Sequence, residues 1–369
     1  MKIDEVTLTV FPWDKIPVTR YSSTIQVGGQ PSSLGLLTLK TTDGVEGHAL
    51  LGSALHSVDL DAASLMRALK PVVIGQDPLD RERLNQALWA RRLRTTVRAI
   101  GAMDVALWDI AGKVAGLPLY KLMGACRDKV PAYCSSQMHD TPAAYVDQAL
   151  DFKARGWQAY KLHSSHPWKE AAAACEAVRQ ATGSDFGLML DSVWTYDYDD
   201  ALNLGRAIES QGFEWFEDPL PQVRIDDYTT LCAELEIPVM ATEAPAAGLT
   251  HYAPWVLKKA TDALRGDVAI KGGITTILKA AHLAEAFGMQ YEVHMGANSL
   301  NDLANLHVIL AIRNCRYFEV LQPAAAHKYG MLRDIEVDSE GFVHPPQAPG
   351  LGAEIDFERI RKTAVATLT

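Results

Sequence analysis

The sequence predicts an α/β barrel of eight strands preceded by a smaller α+β domain, and three observations carry that reading. Six acid/base residues, Asp191, Glu217, Glu243, Asp267, His294 and Glu319, follow one another at intervals of 26, 26, 24, 27 and 25 residues. An interval of about 25 residues is one strand, one helix and two short loops. Each of the six closes a short apolar run, such as LML before Asp191 or YEV before His294, as parallel strands buried on both faces do. Residues 1–120 have a different rhythm, a run of strands followed by a run of helices, which marks a separate α+β domain.

Taken in order, KIDEVTLTVF, STIQVG and SLGLLTLKT alternate like antiparallel strands, and Asp43-Gly44 is a hairpin signal. Helices are expected from about Asp59 through LMRALKPVV, after Asp77-Pro78 in RERLNQALWARRL, and in VRAIGAMDVALWDIAGKVAG. Two barrel strands precede the regular series, VPAYCSS at 130–136 and WQAYKLH at 157–163, and bring the strand count to eight. Between strands lie WKEAAAACEAVRQA, YDDALNLGRAIES and ITTILKAAHLAEAF, which read as helices of ordinary length. Beyond the eighth strand, the loop-rich segment from the DSEGF turn through Pro345 and Pro346 is expected to fold back on the first domain.

At 369 residues the chain exceeds one ordinary barrel, and 48% hydrophobic residues suffice for a large core. A formal charge of −10 argues against nucleic-acid or membrane-surface partners, so an anionic substrate has to be attracted locally by a metal or by lysines. Five scattered cysteines, none in a CxxC pair, and an N-terminus without a signal-peptide pattern lead us to expect reduced thiols in a cytoplasmic protein.

Asp191, Glu217 and Glu243 end three successive strands, which sets three carboxylates side by side at the barrel mouth. Such a set repels itself unless a cation lies between its members, and all-oxygen ligands suit Mg²⁺ better than zinc. Asp218 is expected to point away from the metal or to support it indirectly. Across the mouth, Asp267 can hold His294 in one tautomer and raise its basicity, which makes His294 the natural general base. In AYKLH, Lys161 and His163 are two residues apart on one strand face. They could bind a substrate carboxylate, stabilise growing negative charge or act as a base opposite His294. Lys271 could reach the mouth as a substrate contact or order a loop. In the first domain, loops near Pro17 to Tyr21 and His48 to His56 are the expected specificity elements, with Arg20, Tyr21 and His48 as candidate substrate contacts.

Several motifs carry a family resemblance: DGVEGHA, PVVIGQDPLD, AMDVALWDIAGK, YKLH, LMLD, WFEDP, ATEA, GDVAIKGGIT, YEVHMG and YFE. In this order and spacing the chain resembles the enolase superfamily, within it the mandelate racemase-like subgroup of acid-sugar dehydratases and racemases. The resemblance implies a modified TIM barrel, (β/α)₇β, with an N-terminal α+β capping domain. We place the cap at 1–122, completed by 338–369, and the catalytic barrel at 123–337. It also implies a homo-oligomer acting on a small sugar acid, with one Mg²⁺ on Asp191, Glu217 and Glu243. Asp267 and His294 become a proton-abstracting dyad, giving an enediolate. Glu319 becomes the residue that hydrogen-bonds the substrate carboxylate, and by analogy with neutral acids it is expected to be protonated.

Two departures bear on the reaction. Many subgroup members end the second strand Lys-x-Lys, whereas here it is Lys161-Leu162-His163. An Asn common two residues after the first metal ligand is Val193 here, followed by Trp194, which leaves Trp194 as a candidate substrate contact. No lysine ends the sixth strand, which sets the chain apart from the muconate cycloisomerase-like relatives. One dyad suffices for syn loss of water, because the protonated imidazole can return its proton to the departing β-hydroxyl. A sugar-acid dehydratase (aldonate or aldarate) is therefore the preferred expectation. A racemase, epimerase or lactone cycloisomerase is the alternative, and a non-catalytic sugar-acid-binding member is the alternative of another class.

Overall fold

A computed structural model describes residues 1–369. The N-terminal part is a four-stranded antiparallel sheet in the order Ala366–Leu368, Ile3–Trp13, Ser32–Thr41, Glu46–Leu51. The Asp43-Gly44 turn joins the last two, as expected, with the Gly44 N–H bonded to the Thr41 carbonyl at 2.9 Å. Against this sheet lies helix Val97–Ala115, and helix Arg81–Trp89 packs on that helix. Thr96 caps the longer one through the Ala99 N–H, and Gly116 ends it in the left-handed conformation.

Eight parallel strands follow, Val130–Ser135, Ala159–His163, Gly187–Asp191, Phe216–Glu217, Val239–Ala241, Ala263–Gly266, Gln290–Val293 and Phe318–Leu321. They pair in the order eight, one, two and so on to seven, with a helix in each of the seven connections. The architecture is thus the expected (β/α)₇β barrel with an α+β domain before it. The seam between strands seven and eight has no strand ladder. It is stitched by the Tyr291 N–H to Asn314 carbonyl bond and by the Glu319 carboxylate, which accepts the Met295 N–H at 3.0 Å. The C-terminal segment divides: Phe342–Val343 joins the first barrel strand, while from Gly350 onward the chain lies against the N-terminal domain, with helix Phe357–Thr363 on strand Ile3–Trp13 and Ala366–Leu368 added to its sheet.

Strand alternation sorts the barrel interior into layers. Tyr133, Ala159, Met189, Trp215, Met240 and Ala263 form a buried floor. Two residues further along their strands come Ser135, Lys161, Asp191, Glu217 and Arg265, on the same inward face. An apolar plug therefore supports a polar layer, and the chemistry has only one open side.

The helix carrying AMDVALWD locks the two parts together. Gly101 packs where an added Cβ would meet the Val268 carbonyl at 2.4 Å, so the helix lies directly on the loop after the sixth strand. Asp104, fully buried, accepts the Thr275 N–H at 2.9 Å at the start of barrel helix Ile274–Ala286 and the Asn85 amide at 2.9 Å. Asp109 accepts the N–H groups of His48 (2.9 Å) and Leu351 (2.8 Å). Much of that motif is therefore an interdomain latch.

His307, on barrel helix Ser299–Ala311, accepts the Tyr120 N–H at Nδ1 (3.2 Å) and donates from Nε2 to the Leu351 carbonyl (2.9 Å). Burial lowers its pKa from 6.5 to about 4. The neutral ring is present in the fold while the unfolded chain protonates below pH 6.5, so its contribution is complete above that pH and lost as pH falls towards 4. At pH 5 the loss amounts to about 2 kcal/mol. Denaturant titrations at pH 7.5 and pH 5 are expected to show His307→Gln losing correspondingly less stability than the parent; an identical loss in both would refute the assignment.

Candidate active site

The mouth of the barrel opens into a cavity of about 360 Å³ closed from above by the N-terminal domain. Two loops of that domain form the roof, and both are tied to the barrel. The Tyr21 hydroxyl donates to the Gln322 carbonyl at 2.9 Å, and the Met138 N–H to the Arg20 carbonyl at 2.7 Å. Asn298, which caps helix Ser299–Ala311, reaches the Leu50 and Gly52 carbonyls at 3.3 and 2.9 Å.

Asp191, Glu217 and Glu243 offer three carboxylate oxygens that lie within 4.8 Å of one another. Lys161, fully buried, places Nζ 2.9 Å from Glu217, 2.8 Å from Glu319 and 3.3 Å from Asp191. Arg265, buried beside it, pairs through Nε with Glu217 and, at 3.4 Å, with Glu243, and through Nη2 with Glu319 at 2.6 Å. Burial lifts Glu217 to about 7, with Arg265 pulling it down and Asp191 pushing it up. Burial, then Glu243, raises Asp218 well above the usual range, so it adds no charge. Three carboxylates crowded on one side of the mouth offer hard oxygen donors alone, a set that suits a divalent cation such as Mg²⁺.

The dyad is formed. His294 Nδ1 lies 2.5 Å from Asp267 Oδ2, while Oδ1 of the same aspartate accepts the Ala269 and Ile270 N–H groups at 2.7 and 2.9 Å. The imidazole therefore carries its proton on Nδ1 and turns Nε2 towards the cavity, 3.5 Å from Glu243. Burial pulls its pKa down, but Glu243 and Asp267 outweigh that and raise it to about 9; a cation bound at Glu243 would offset the first of these causes and free Nε2 to act as a base.

His163 is placed differently. Its Nδ1 is 2.6 Å from the Ser136 carbonyl, its Nε2 is 3.1 Å from Asp191, and the ring of Tyr21 stands edge-on at 5.1 Å. Both ring nitrogens thus face acceptor oxygens. Burial and Arg265 work against a charge on Lys161, yet Glu217 and Glu319 hold its pKa well above the usual lysine range, so it is a donor and not a base.

Val193 and Trp194 both take positive φ, 49° and 59°, which for a β-branched residue costs on the order of 1–3 kcal/mol. Asp191 accepts the Val193 N–H (2.9 Å) and the Asp218 carbonyl accepts the Trp194 N–H (2.7 Å), and these bonds hold the turn. The result puts Trp194 in the cavity wall with an indole N–H that has no partner.

Several sequence expectations are corrected. Arg20 points outward to Asp140 at 2.5 Å, because neighbouring strand residues face opposite ways and Tyr21 takes the inward position. His48 lies in the N-terminal sheet beside Thr38 (3.2 Å) and Phe357, away from the catalytic cavity. Lys271 runs under the mouth and donates to the Pro245 carbonyl at 3.0 Å. It takes the space that Gly266 leaves, since a Cβ there would meet Lys271 Cγ at 2.6 Å, a placement that fits the second of its two expectations, ordering the loop after Glu243. Glu319 sits second in its strand, not at the end. Although burial pushes its carboxyl up, Arg265, Lys161 and His294 hold it well below the usual range, so it is ionised and not the neutral acid expected.

The cavity also holds residues that the sequence reading missed: Arg265, and at the roof His56, Arg98 and Asn301. Arg98 spends two of its nitrogens on buried Asp61. Ile25, Val27, Leu50, Leu51 and Leu55 make the rest of the roof apolar.

Residues 5–124 match the family described as mandelate racemase / muconate lactonizing enzyme, N-terminal domain, and residues 144–360 match enolase C-terminal domain-like proteins. Arabinonate dehydratase of Saccharolobus solfataricus is 29% identical over 347 residues, 88% of this chain and 89% of that one. The 3,6-anhydro-alpha-L-galactonate cycloisomerase of Streptomyces coelicolor is 28% identical over 368 residues, covering 95% and 97%. A crystal structure of D-glucarate dehydratase from Agrobacterium tumefaciens complexed with magnesium is 36% identical, covers 99% of this chain and 100% of its own, and superimposes with a TM-score of 0.86.

Proposed function

The chain belongs to the mandelate racemase / muconate lactonizing enzyme family, and on that premise we propose that it is a Mg²⁺-dependent dehydratase of a sugar acid, an aldonate or aldarate. One observation carries the choice of reaction. Of the histidines that line the cavity, His294 alone is backed through Nδ1 by an aspartate, while both nitrogens of His163 and the ammonium of Lys161 are held by oxygens. Inversion at carbon needs bases on both faces, whereas syn elimination of water needs one.

Mg²⁺ bound by Asp191, Glu217 and Glu243 would supply Lewis-acid stabilisation to the substrate carboxylate. Lys161 brings a second positive charge to the same place from a dry setting, where it is worth more than in water. His294 Nε2 takes the α-proton; Asp267, bonded to Nδ1–H, steadies the imidazolium. The same Nε2–H then passes its proton to the β-hydroxyl, which leaves as water, and the resulting enol tautomerises to a 2-keto-3-deoxy acid. The apolar roof favours a second reading, a cycloisomerase of lactone or anhydro acids, because such substrates present fewer hydroxyls to Ile25, Val27 and Leu50.

Incubation with Mg²⁺ and a panel of aldonates, aldarates and their lactones in D₂O separates these readings. We expect 2-keto-3-deoxy product and no deuterium in recovered substrate. Exchange or inversion without loss of water would refute dehydration, and ring opening alone would establish the second reading.

A further inference from the structure

We infer that Arg265 is a catalytic residue whose free Nη1 donates a hydrogen bond to the substrate carboxylate oxygen on which negative charge collects as the α-proton leaves. The guanidinium is 1% exposed, yet it lies in the wall of the catalytic cavity. Its Nε and Nη2 are taken up by Glu217, Glu243 and Glu319, whereas Nη1, itself shielded from water and open to a ligand only on a small shift of the side chain, has no partner in the protein. A buried donor without an acceptor is costly and rare, so a ligand atom is the natural partner for it.

The neighbouring charged groups are more fully occupied. Lys161 directs its ammonium at three carboxylates. Glu319 has Oε1 occupied by Lys161, and Oε2 occupied by Arg265 and the Met295 N–H, so it acts as an acceptor that fixes Arg265. Arg265 is the last residue but one of its strand, and Asp267 follows the strand's end directly. The donor is thereby fixed relative to the dyad that removes the proton, and between the metal-binding glutamates and Glu319. A planar fork held at two of its nitrogens is preorganised at the third, which suits stabilisation of a charge that appears only during reaction.

The inference rests on the proposed function only in requiring a substrate carboxylate at this site. The probe is oxalate, a planar dianion that resembles an enediolate. A crystal structure of the wild-type enzyme with Mg²⁺ and oxalate is expected to place an oxalate oxygen within about 3.2 Å of Arg265 Nη1. Arg265→Lys and Arg265→Gln are expected to weaken oxalate on the order of 10- to 100-fold by calorimetry. In Arg265→Lys, which keeps the charge beside Glu217 and Glu243, Mg²⁺ affinity without oxalate should change less than about threefold, and kcat should fall more than KM rises. Unchanged oxalate affinity in a folded variant, an equal loss of Mg²⁺ affinity in Arg265→Lys, or Nη1 more than about 4 Å from the ligand would overturn the role of Arg265 alone. Failure of the wild type to bind oxalate in the presence of Mg²⁺ would overturn the proposed function, and this inference with it.

Discussion

His294→Asn is expected to lower kcat on the order of 10⁴-fold, roughly 5 kcal/mol of transition-state stabilisation. The Asn cannot accept a proton, and His163, the other histidine at the carboxylate cluster, is held at both nitrogens. Asp267→Asn is the more telling partner. Its Oδ1 can still accept the Ala269 and Ile270 N–H groups, so the loop is kept, but an amide NH₂ now faces His294 Nδ1. The imidazole must then carry its proton on Nε2, which removes the lone pair from the cavity; a loss of roughly 10³- to 10⁴-fold follows from the wrong tautomer alone. Both variants should bind Mg²⁺ and oxalate almost as the parent does, and both should fail to exchange the α-proton in D₂O. Exchange at the parental rate in His294→Asn would assign the proton transfer to another residue.

The barrel was legible in the sequence because its strands are buried on both faces and end in residues that cannot be hidden without a purpose. Asp191, Glu217, Glu243, Asp267 and His294 reached their places through that regularity, and Lys161 and His163 through strand alternation. The same alternation would have found Arg265, two residues before Asp267, had it been applied to a charged residue inside an apolar strand. Strand Glu46–Leu51 is buried almost throughout, so its pattern does not tell which face His48 takes. Arg20 and Tyr21 differ by one residue, and only the pairing of two short strands, Thr19–Arg20 with Gln26–Val27, decides which side chain turns inward. The ionised state of Glu319 could not be read from sequence, because it depends on Lys161 and Arg265 approaching from two other strands. The AMDVALWD motif identified the family, but the duty of Asp104 in joining cap to barrel requires Thr275, and that of Asp109 in tying down the C-terminal segment requires Leu351, both far away along the chain.

Stripping divalent ions with EDTA is expected to abolish turnover, with recovery on adding Mg²⁺, and Glu217→Gln is expected to prevent that recovery. Glu217 is the middle one of the three ligands, fully buried, held by Lys161 at 2.9 Å and the Trp215 indole N–H at 3.1 Å on one oxygen. A glutamine retains the shape but removes the charge, so one of the three anionic oxygen donors is lost. The electrostatic case for a divalent ion weakens at once, and Arg265 loses a counter-ion that holds it in place. Binding can be followed without turnover. At an Mg²⁺ concentration 100 times Kd the wild-type fold gains about 2.7 kcal/mol from linkage, which appears as a shift of the unfolding midpoint. In Glu217→Gln that shift should vanish at the same concentration. Full activity after exhaustive chelation would show that the three carboxylates serve another end. A preserved shift in Glu217→Gln would place the ion on a different set of ligands.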